Sequence, residues 1–315
     1  MEVFSSLGSV RASGALRGGA VALGSFDGVH LGHRKLVERA RALHDRHERK
    51  VGVLTFDPHP LHLLCPDRAP PLLGSLDMRL ERLGAAGADV AVVVPFDAEY
   101  AHTDATEFVT RDLAGALGVR DVIVGFNFSA GRDRLGPSAL RPLLGLCGIN
   151  LHVVEPILHL GQVVSSSRVR LALQEGDLEA ATAMLGRCHE AEGLLERRPT
   201  ATLDPNTVAV VFRGGWLPGP GNYMVRVQAR GETDRGYVRA STISTCTTCL
   251  VRREDPIAGR PSSVAEFVLP DGIHPVGGRA TVRVAFLARM DGWGVEAGLT
   301  SPSSPDGGRL TGTVR

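Results

Sequence analysis

Hydrophobic and polar positions alternate in two different ways along the chain, and the change falls near residue 187. Before it, short β-branched runs recur between longer amphipathic stretches. The runs are Ala20–Gly24, Lys50–Thr55, Asp89–Pro95, Asp121–Gly125 and Asn150–Glu155. Each is almost continuously apolar, as a strand covered on both faces must be, so five parallel strands are predicted. Between the first two, Leu36, Val37, Ala40 and Leu43 share one helical face while Arg34, Lys35, Glu38, Arg39 and Arg41 take the other. Similar stretches at about 75–86, 104–117 and 136–148 complete a repeated strand, helix, strand order. A right-handed doubly wound α/β sheet satisfies it, and in such sheets the ligand lies beyond the carboxyl ends of the strands.

After residue 187 the pattern becomes strands and turns. Thr207–Phe212, Asn222–Arg230, Gly236–Ser244, Ser263–Leu269 and Ala280–Ala288 read as strands, separated by turn clusters such as GGWLPGPGN and HPVGGR. This predicts a compact antiparallel barrel or sandwich over 188–300. The segment 301–315, TSPSSPDGGRLTGTVR from Thr300 onward, is polar and rich in Gly, Pro and Ser, and is expected to be a disordered tail.

Composition excludes several classes. A hydrophobic share of 43%, a charged share of 22% and a net charge of +1 describe a protein that buries a core and has no general attraction for nucleic acid or membrane. No apolar run approaches the ~18 to 20 residues of a membrane span, and the N-terminus lacks a charged start followed by an apolar stretch, so a cytoplasmic protein is expected. Five cysteines make no disulfide framework. Cys246 and Cys249 form a CxxC in a Thr-rich stretch of strand propensity, where residues three apart point to opposite faces, which argues against zinc. The basic residues are almost all arginine, with lysine only at positions 35 and 50. Genomic base composition explains most of this skew, and some arginines could form forks around phosphate.

Candidate chemistry concentrates in GSFDGVHLGHRKL, Gly24–Leu36, where the first strand meets the first crossover helix. Gly24, Gly28 and Gly32 allow a tight turn, and His30 and His33 flank the start of the helix. A helix N-terminus offers free N–H groups and the positive end of its dipole to a phosphate, and two imidazoles beside it can donate to phosphoryl oxygens. Packing against the sheet is the plain alternative for both histidines, and no third local ligand supports a metal. A second segment, VSSSRVRLAL from Val164 to Leu173, opens another helix with Ser165, Ser166 and Ser167, then Arg168 and Arg170. Capping explains one serine. Two arginines at a helix N-terminus oppose its dipole, and so call for an anion.

The order GxFDGVHxGH, TFxPHP (Thr55–Pro60), VGxNFxxGxxRxG (Val124–Gly136) and SSSRVRxALxxGDxxxAxxxLGR (Ser165–Arg187) resembles the FMN adenylyltransferase module of bacterial bifunctional riboflavin kinase/FAD synthetases. That resemblance implies a Rossmann-like HxGH nucleotidylyltransferase fold over 1–187 and transfer of AMP from ATP to the phosphate of FMN. By match to the family motifs, His30, His33 and Arg170 carry the reaction. The loop Gly24, Ser25, Phe26, Asp27 and Gly28, with Asn127, Ser166 and Ser167, would hold the nucleotide. Phe56, Pro58, His59 and Pro60 would line the flavin side. Mg²⁺ would bridge the phosphates, with no protein ligand assigned.

Departures from the family pattern open alternatives. Ser25 and Ser167 are mild changes, but Ser129-Ala130-Gly131 stands where the family favours an aromatic before the glycine. Another phosphorylated acceptor, or CTP in place of ATP, is the competing enzymatic reading, and a flavin- or nucleotide-sensing role is the non-enzymatic one. The kinase-like half departs further. HEAEGLLERRPTATLDPN, His189–Asn206, lacks the Gly-rich loop and PTAN segment, and Ala265 falls where the kinase glutamate is expected, with Glu266 one residue on. One residue turns a strand position to the opposite face. A barrel retained without kinase chemistry is therefore expected.

Overall fold

The structure, a computed structural model, describes residues 1–44, 49–196, 207–212, 215–230, 244–253, 263–268 and 279–290. Its first half is a parallel sheet of six strands: β1 (Glu2–Phe4), β2 (Ala20–Leu23), β3 (Val51–Asp57), β4 (Val90–Pro95), β5 (Asp121–Gly125) and β6 (Asn150–Val154), in the order β1-β4-β3-β2-β5-β6. Five of these are the predicted runs. The sixth, β1, has three residues, too few for any apolar pattern, and pairs with β4 at the edge.

The helices around the sheet are α1 (Leu7–Ser13), α2 (Leu31–His44), α3 (Pro60–Leu64), α4 (Leu76–Ala85), α5 (Ala105–Glu107) with its π-helical continuation Phe108–Leu117, α6 (Pro137–Leu146), α7 (Ser166–Glu175) and α8 (Leu178–Leu185). A hairpin of β7 (Leu158–His159) and β8 (Gln162–Val163) precedes α7. Alternation along β2 sorts the two faces of the sheet. Val21 and Leu23 pack with Val10, Leu113, Leu140 and Leu144, whereas Ala20 and Ala22 pack with Leu36, Val37, Ala40 and Leu83. The small residues fall where α2 lies close, and the larger ones fill the opposite layer.

Chain order fixes where a ligand would lie. From β2 the chain steps outward to β3 and β4, then returns to place β5 and β6 on β2's other side. The carboxyl ends of β2 and β5 therefore flank the switch point, where a crevice must open. The loop after β2 carries the HxGH motif, and the loop after β5 carries Asn127.

The second half is a closed antiparallel barrel of β9 (His189–Glu196), β10 (Thr207–Phe212), β11 (Gly221–Arg230), β12 (Ser244–Arg253), β13 (Ser263–Val268) and β14 (Arg279–Arg289), in the order β10-β13-β12-β11-β14-β9. Pairing of β9 with β10 closes it. β9 breaks the sequence expectation, because HEAEGLLE alternates charge with small residues and lacks a β-branched run. The strand expected over Gly236–Ser244 lies, except for its last residue, outside the described residues, and β12 falls instead on the Thr-rich CxxC stretch. The side chains of Cys246 and Cys249, the segment 197–206 and the tail 301–315 also lie outside the described residues.

Packing does not stop at residue 187. The buried faces of α7 and α8, including Val169, Leu173, Ala181 and Leu185, share one apolar cluster with Phe212, Tyr223, Val225 and Phe286 of the barrel. Arg283 on β14 reaches both oxygens of Glu81 on α4 at 2.9 Å and Glu192 on β9 at 2.8 Å, while Arg82 pairs with Glu190 at 3.2 Å. A groove of about 780 Å³ lies between α8 and β14, lined by Glu175, Asp177, Cys188 and Arg289 among others, and the HxGH histidines are not part of it. Among the described residues, no helix is long and apolar enough to cross a membrane.

At the amino-terminal end of the sheet, Asp121 on β5 ties three elements together. Its oxygens meet His44 Nε2 of α2 at 3.0 Å, His152 Nε2 of β6 at 2.8 Å and Asn150 Nδ2 at 3.1 Å. Burial pulls the Asp121 carboxyl up, but the hydrogen bonds with His152, Asn150 and His44 outweigh it and hold it below the usual carboxylate range. Asp121→Ala leaves those groups without an acceptor and is expected to cost about 1–3 kcal/mol, read by urea unfolding at neutral pH. Because the folded carboxyl sits lower than the unfolded one, the wild type's advantage is present above about pH 4 and shrinks as the pH falls below it. An advantage that grows on acidification would contradict this assignment.

Candidate active site

The turn after β2 cannot relax into ordinary backbone. Phe26, Gly28 and Val29 adopt φ values of 53°, 77° and 42°. Only the glycine takes this left-handed conformation without cost, and for the β-branched Val29 it is a strained one. Gly28 has no alternative, since a Cβ there would meet Leu73 Cδ1 at 2.6 Å. What holds the turn is burial. Phe26 and Val29 are buried in the layer beneath α2, and Gly24 packs against the Phe26 ring.

Strain at the turn delivers both histidines to one place. The rings of His30 and His33 stack at 3.7 Å and 16°, and Phe26 meets His33 edge-on at 5.3 Å. Gly32 keeps the stack open, because a Cβ would lie 3.1 Å from the His30 ring. The His33 N–H approaches His30 Nδ1 at 3.3 Å, which leaves the proton of the neutral His30 ring on Nε2. Burial, and then the charge of Arg187, push His30 down to about 4. Burial also drives His33 well below its ordinary value, with His30, Arg187 and Arg79 acting in the same sense. Both rings are therefore neutral at physiological pH, and His33 Nδ1 is buried with no hydrogen-bond partner. An unsatisfied imidazole nitrogen at a strand-to-helix turn is an atom that a ligand would satisfy.

The second motif arrives at the same turn. Ser165 caps α7 through the Arg168 N–H, and Ser166 Oγ donates to the carbonyl of Asp27 at 2.9 Å. Arg170 forms a short ion pair with Asp27, and its Nε donates to the Pro71 carbonyl at 3.0 Å. The other Asp27 oxygen accepts from the Leu73 N–H at 2.8 Å. Both partners are buried, Asp27 being 3% and Arg170 8% exposed. The anion that the arginines of this helix call for is thus supplied within the chain for Arg170. Arg168 turns back to the carbonyls of His159, Gln162 and Val163. Ser167 and Asn127 are exposed and make no side-chain hydrogen bond among the described residues, so they stand open to a ligand.

TFDPHP follows on the other flank. Thr55 Oγ1 donates to the Ser25 carbonyl at 3.1 Å, joining the end of β3 to the turn. Phe56 packs with Phe96 and Tyr100 and does not reach the histidines. Pro58 is exposed after a cis Asp57–Pro58 bond, and His59 caps α3, with Pro60 at its first position. His59 is held down to about 4 by burial, then by His62, Arg79 and Arg170.

Two further arginines hold this arrangement together: Arg79, which the sequence does not mark, and Arg187, which closes the SSSR motif and has no role assigned there. Arg79 on α4, 4% exposed, donates to the Ser25 carbonyl at 2.8 Å and the Phe56 carbonyl at 3.1 Å, bridging the two loops. Arg187 donates to the carbonyls of Gly28, Val29 and Leu185. Arg79 reads as an ordinary helical cation, and only its polar place on the buried side of an amphipathic helix could have marked it. Among the described residues, no three His, Cys, Asp or Glu side chains are grouped to hold a metal ion.

The FAD synthetase family model matches residues 13–168. The bifunctional riboflavin kinase/FMN adenylyltransferase of Bacillus subtilis is 32% identical over 228 residues, 69% of either chain. The protein of that description from Escherichia coli K12 is 31% identical over 218 residues, 68% of this chain and 70% of the other. A crystal structure described as a macrolide-efflux protein from Streptococcus pneumoniae superposes with a TM-score of 0.73 over 92% of this chain and 90% of the other, at 20% identity, a likeness of fold alone. This chain belongs to the bacterial FAD synthetase family of bifunctional riboflavin kinase/FMN adenylyltransferases, and is a nucleotidyltransferase.

Proposed function

We propose that this chain transfers the adenylyl group of ATP to the phosphate of FMN, giving FAD and pyrophosphate, from a site in 1–187, and that its barrel does not phosphorylate riboflavin. The observation that carries the first part is the meeting of HxGH and SSSR motifs at Asp27, on the switch point of the sheet. A phosphate monoester is already ionised at neutral pH, so an FMN phosphate oxygen can attack the α-phosphorus of ATP without a general base. The bond to the bridging oxygen breaks, and its electron pair leaves with pyrophosphate. Catalysis is then positioning and charge stabilisation.

The residues divide this work. His30, with its proton on Nε2, and His33 donate to phosphate oxygens as charge gathers on them. Ser167, Asn127 and the free N–H groups at the start of α7 receive the nucleotide. Arg170 acts through Asp27, fixing the turn, and reaches phosphate only if that pair opens. The TFDPHP loop, with Phe56 and His59, borders the acceptor. Mg²⁺ accompanies ATP in such reactions and neutralises its phosphates. Asp27 has one oxygen on Arg170 and the other on the Leu73 N–H, so it does not fit as a ligand, and the triphosphate's own oxygens would hold the cation. We place the reaction in the cytoplasm, where ATP and FMN are available.

Absence of the PTAN segment from His189–Asn206 supports loss of kinase chemistry. So does Ala265 at the position where the family pattern has its glutamate, with Glu266 one residue on. One observation favours a different acceptor: Ala130 is buried and pairs with Leu135 across the loop after β5, where the family carries an aromatic ring. With ATP and FMN the purified chain is expected to form FAD and release pyrophosphate, and with ATP and riboflavin to form no FMN. Pyrophosphate from CTP or another phosphomonoester, with none from ATP and FMN, would favour the competing reading.

Two variants test the assignments. His30→Ala is expected to lower the rate of pyrophosphate release by about 10²- to 10³-fold. With His30 at about 4, kcat/KM should carry no ionisation of this ring above about pH 5.5, because the neutral form dominates there. Asp27→Asn leaves the Arg170 charge buried without its partner and is expected to destabilise the protein by about 3–5 kcal/mol, measured by denaturant unfolding. A variant as stable as the wild type would remove Asp27 from its central place.

A further inference from the structure

Arg187 lies outside every motif position to which the reaction assigns a role, yet its guanidinium is spent on the HxGH turn. It follows Gly186, the left-handed residue that ends α8, where a Cβ would lie 2.6 Å from Leu31 Cδ2 at the start of α2. From there it donates to the Gly28 carbonyl, to the Val29 carbonyl at 3.0 Å and to the Leu185 carbonyl at 3.1 Å, and its Nε is buried without a partner. Gly28 and Val29 are the residues at φ 77° and 42°. A guanidinium therefore grips the two peptide units that flank Val29, the β-branched residue at positive φ.

Peptide geometry carries the consequence forward. In a trans peptide the C=O and N–H point in opposite directions, so holding the Val29 carbonyl on Arg187 aims the His30 N–H away from it. The N–H groups of His30, Leu31 and Gly32 have no backbone acceptor, as expected at a helix start. We infer that Arg187 is a positioning residue for adenylyl transfer: by fixing the peptide planes of Gly28 and Val29 it aims the free N–H groups of α2 and the His30 ring at the nucleotide phosphates. This inference rests on the adenylyl-transfer reading above. It differs from a purely structural role because the cation also faces His30. The titratable group against that ring is the stacked His33 on α2, which Arg187 and Arg79 on α4 also face, and burial with Arg187 keeps His30 neutral. A structural arginine would need no place beside a reacting imidazole.

Arg187→Lys and Arg187→Gln separate the fork from the charge. Lysine keeps a cation but cannot span three carbonyls, and glutamine keeps one donor group and no charge. Both are expected to fold, followed by thermal melting, and to lose about 10- to 100-fold in kcat for FAD formation with the KM for FMN changed much less. The pH profile adds a readout that a structural role would not move. The apparent ionisation of His30 should rise in Arg187→Gln and rise less in Arg187→Lys. Wild-type protein that forms no FAD from ATP and FMN overturns the underlying reading. Active wild type with kcat unaltered in both variants, or a common loss with an unmoved profile, overturns the positioning role alone. Failure of both variants to fold also overturns it, since Arg187 would then be a stability residue.

Discussion

Everything at the carboxyl end of the sheet depends on the buried ion pair between Asp27 and Arg170, residues 143 positions apart in the chain. A turn with three of four residues from Phe26 to Val29 in the left-handed region does not hold itself. Its stability comes from contacts that over-determine it: the carboxylate on Arg170 and the Leu73 N–H, the Asp27 carbonyl on Ser166, and the Gly28 and Val29 carbonyls on Arg187. Strain of this kind persists only when its surroundings enforce it, and it clusters where geometry is used. Here it stacks two histidines in a dry setting, where each is neutral and one carries an unsatisfied nitrogen.

The barrel is a second support for the same turn. α4 carries Arg79 into the loops around Ser25 and Phe56, and its Glu81 and Arg82 are held by Arg283 and Glu190, with Glu192 on Arg283. α7, which brings Ser166 and Arg170, buries its apolar face among barrel side chains. Removing the barrel would expose that face and loosen α4 together. A barrel without kinase chemistry, as proposed here, would thus still be kept for adenylyl transfer.

Much of this was legible in the sequence, for reasons that differ by element. The strands β2 to β5 are buried on both faces and so appear as continuous apolar runs, β6 at the edge is a half-buried one, and the switch point follows from their order. β1 is too short and β9 too charged for such a pattern, since their pairing is decided by partners far along the chain. The HxGH and SSSR motifs were visible because local spacing encodes them. Their convergence was not, because Asp27 looks like part of a glycine-rich loop until Arg170 is found beside it. Two arginines at a helix start call for an anion in the sequence, yet Arg170 meets a side chain of the same molecule and Arg168 turns to carbonyls. Arg79 and Arg187 are held chiefly by carbonyl oxygens, which every residue has, so Arg79 carries no mark in the sequence and Arg187 stands at the end of a motif without a role.

On the proposed reaction, the stacked, neutral His30–His33 pair is the phosphate-binding element. Titration of ¹⁵N-histidine-labelled protein by NMR, with and without a non-hydrolysable ATP analogue and Mg²⁺, tests it directly. In the free protein His30 should hold its proton on Nε2 and titrate at about 4, and the ring resonances of both histidines should move on adding the analogue, with their ionisation shifted upward by the bound anion. A His30 that titrates near its ordinary value of about 6.5, or histidine resonances that a saturating analogue leaves in place, would contradict it.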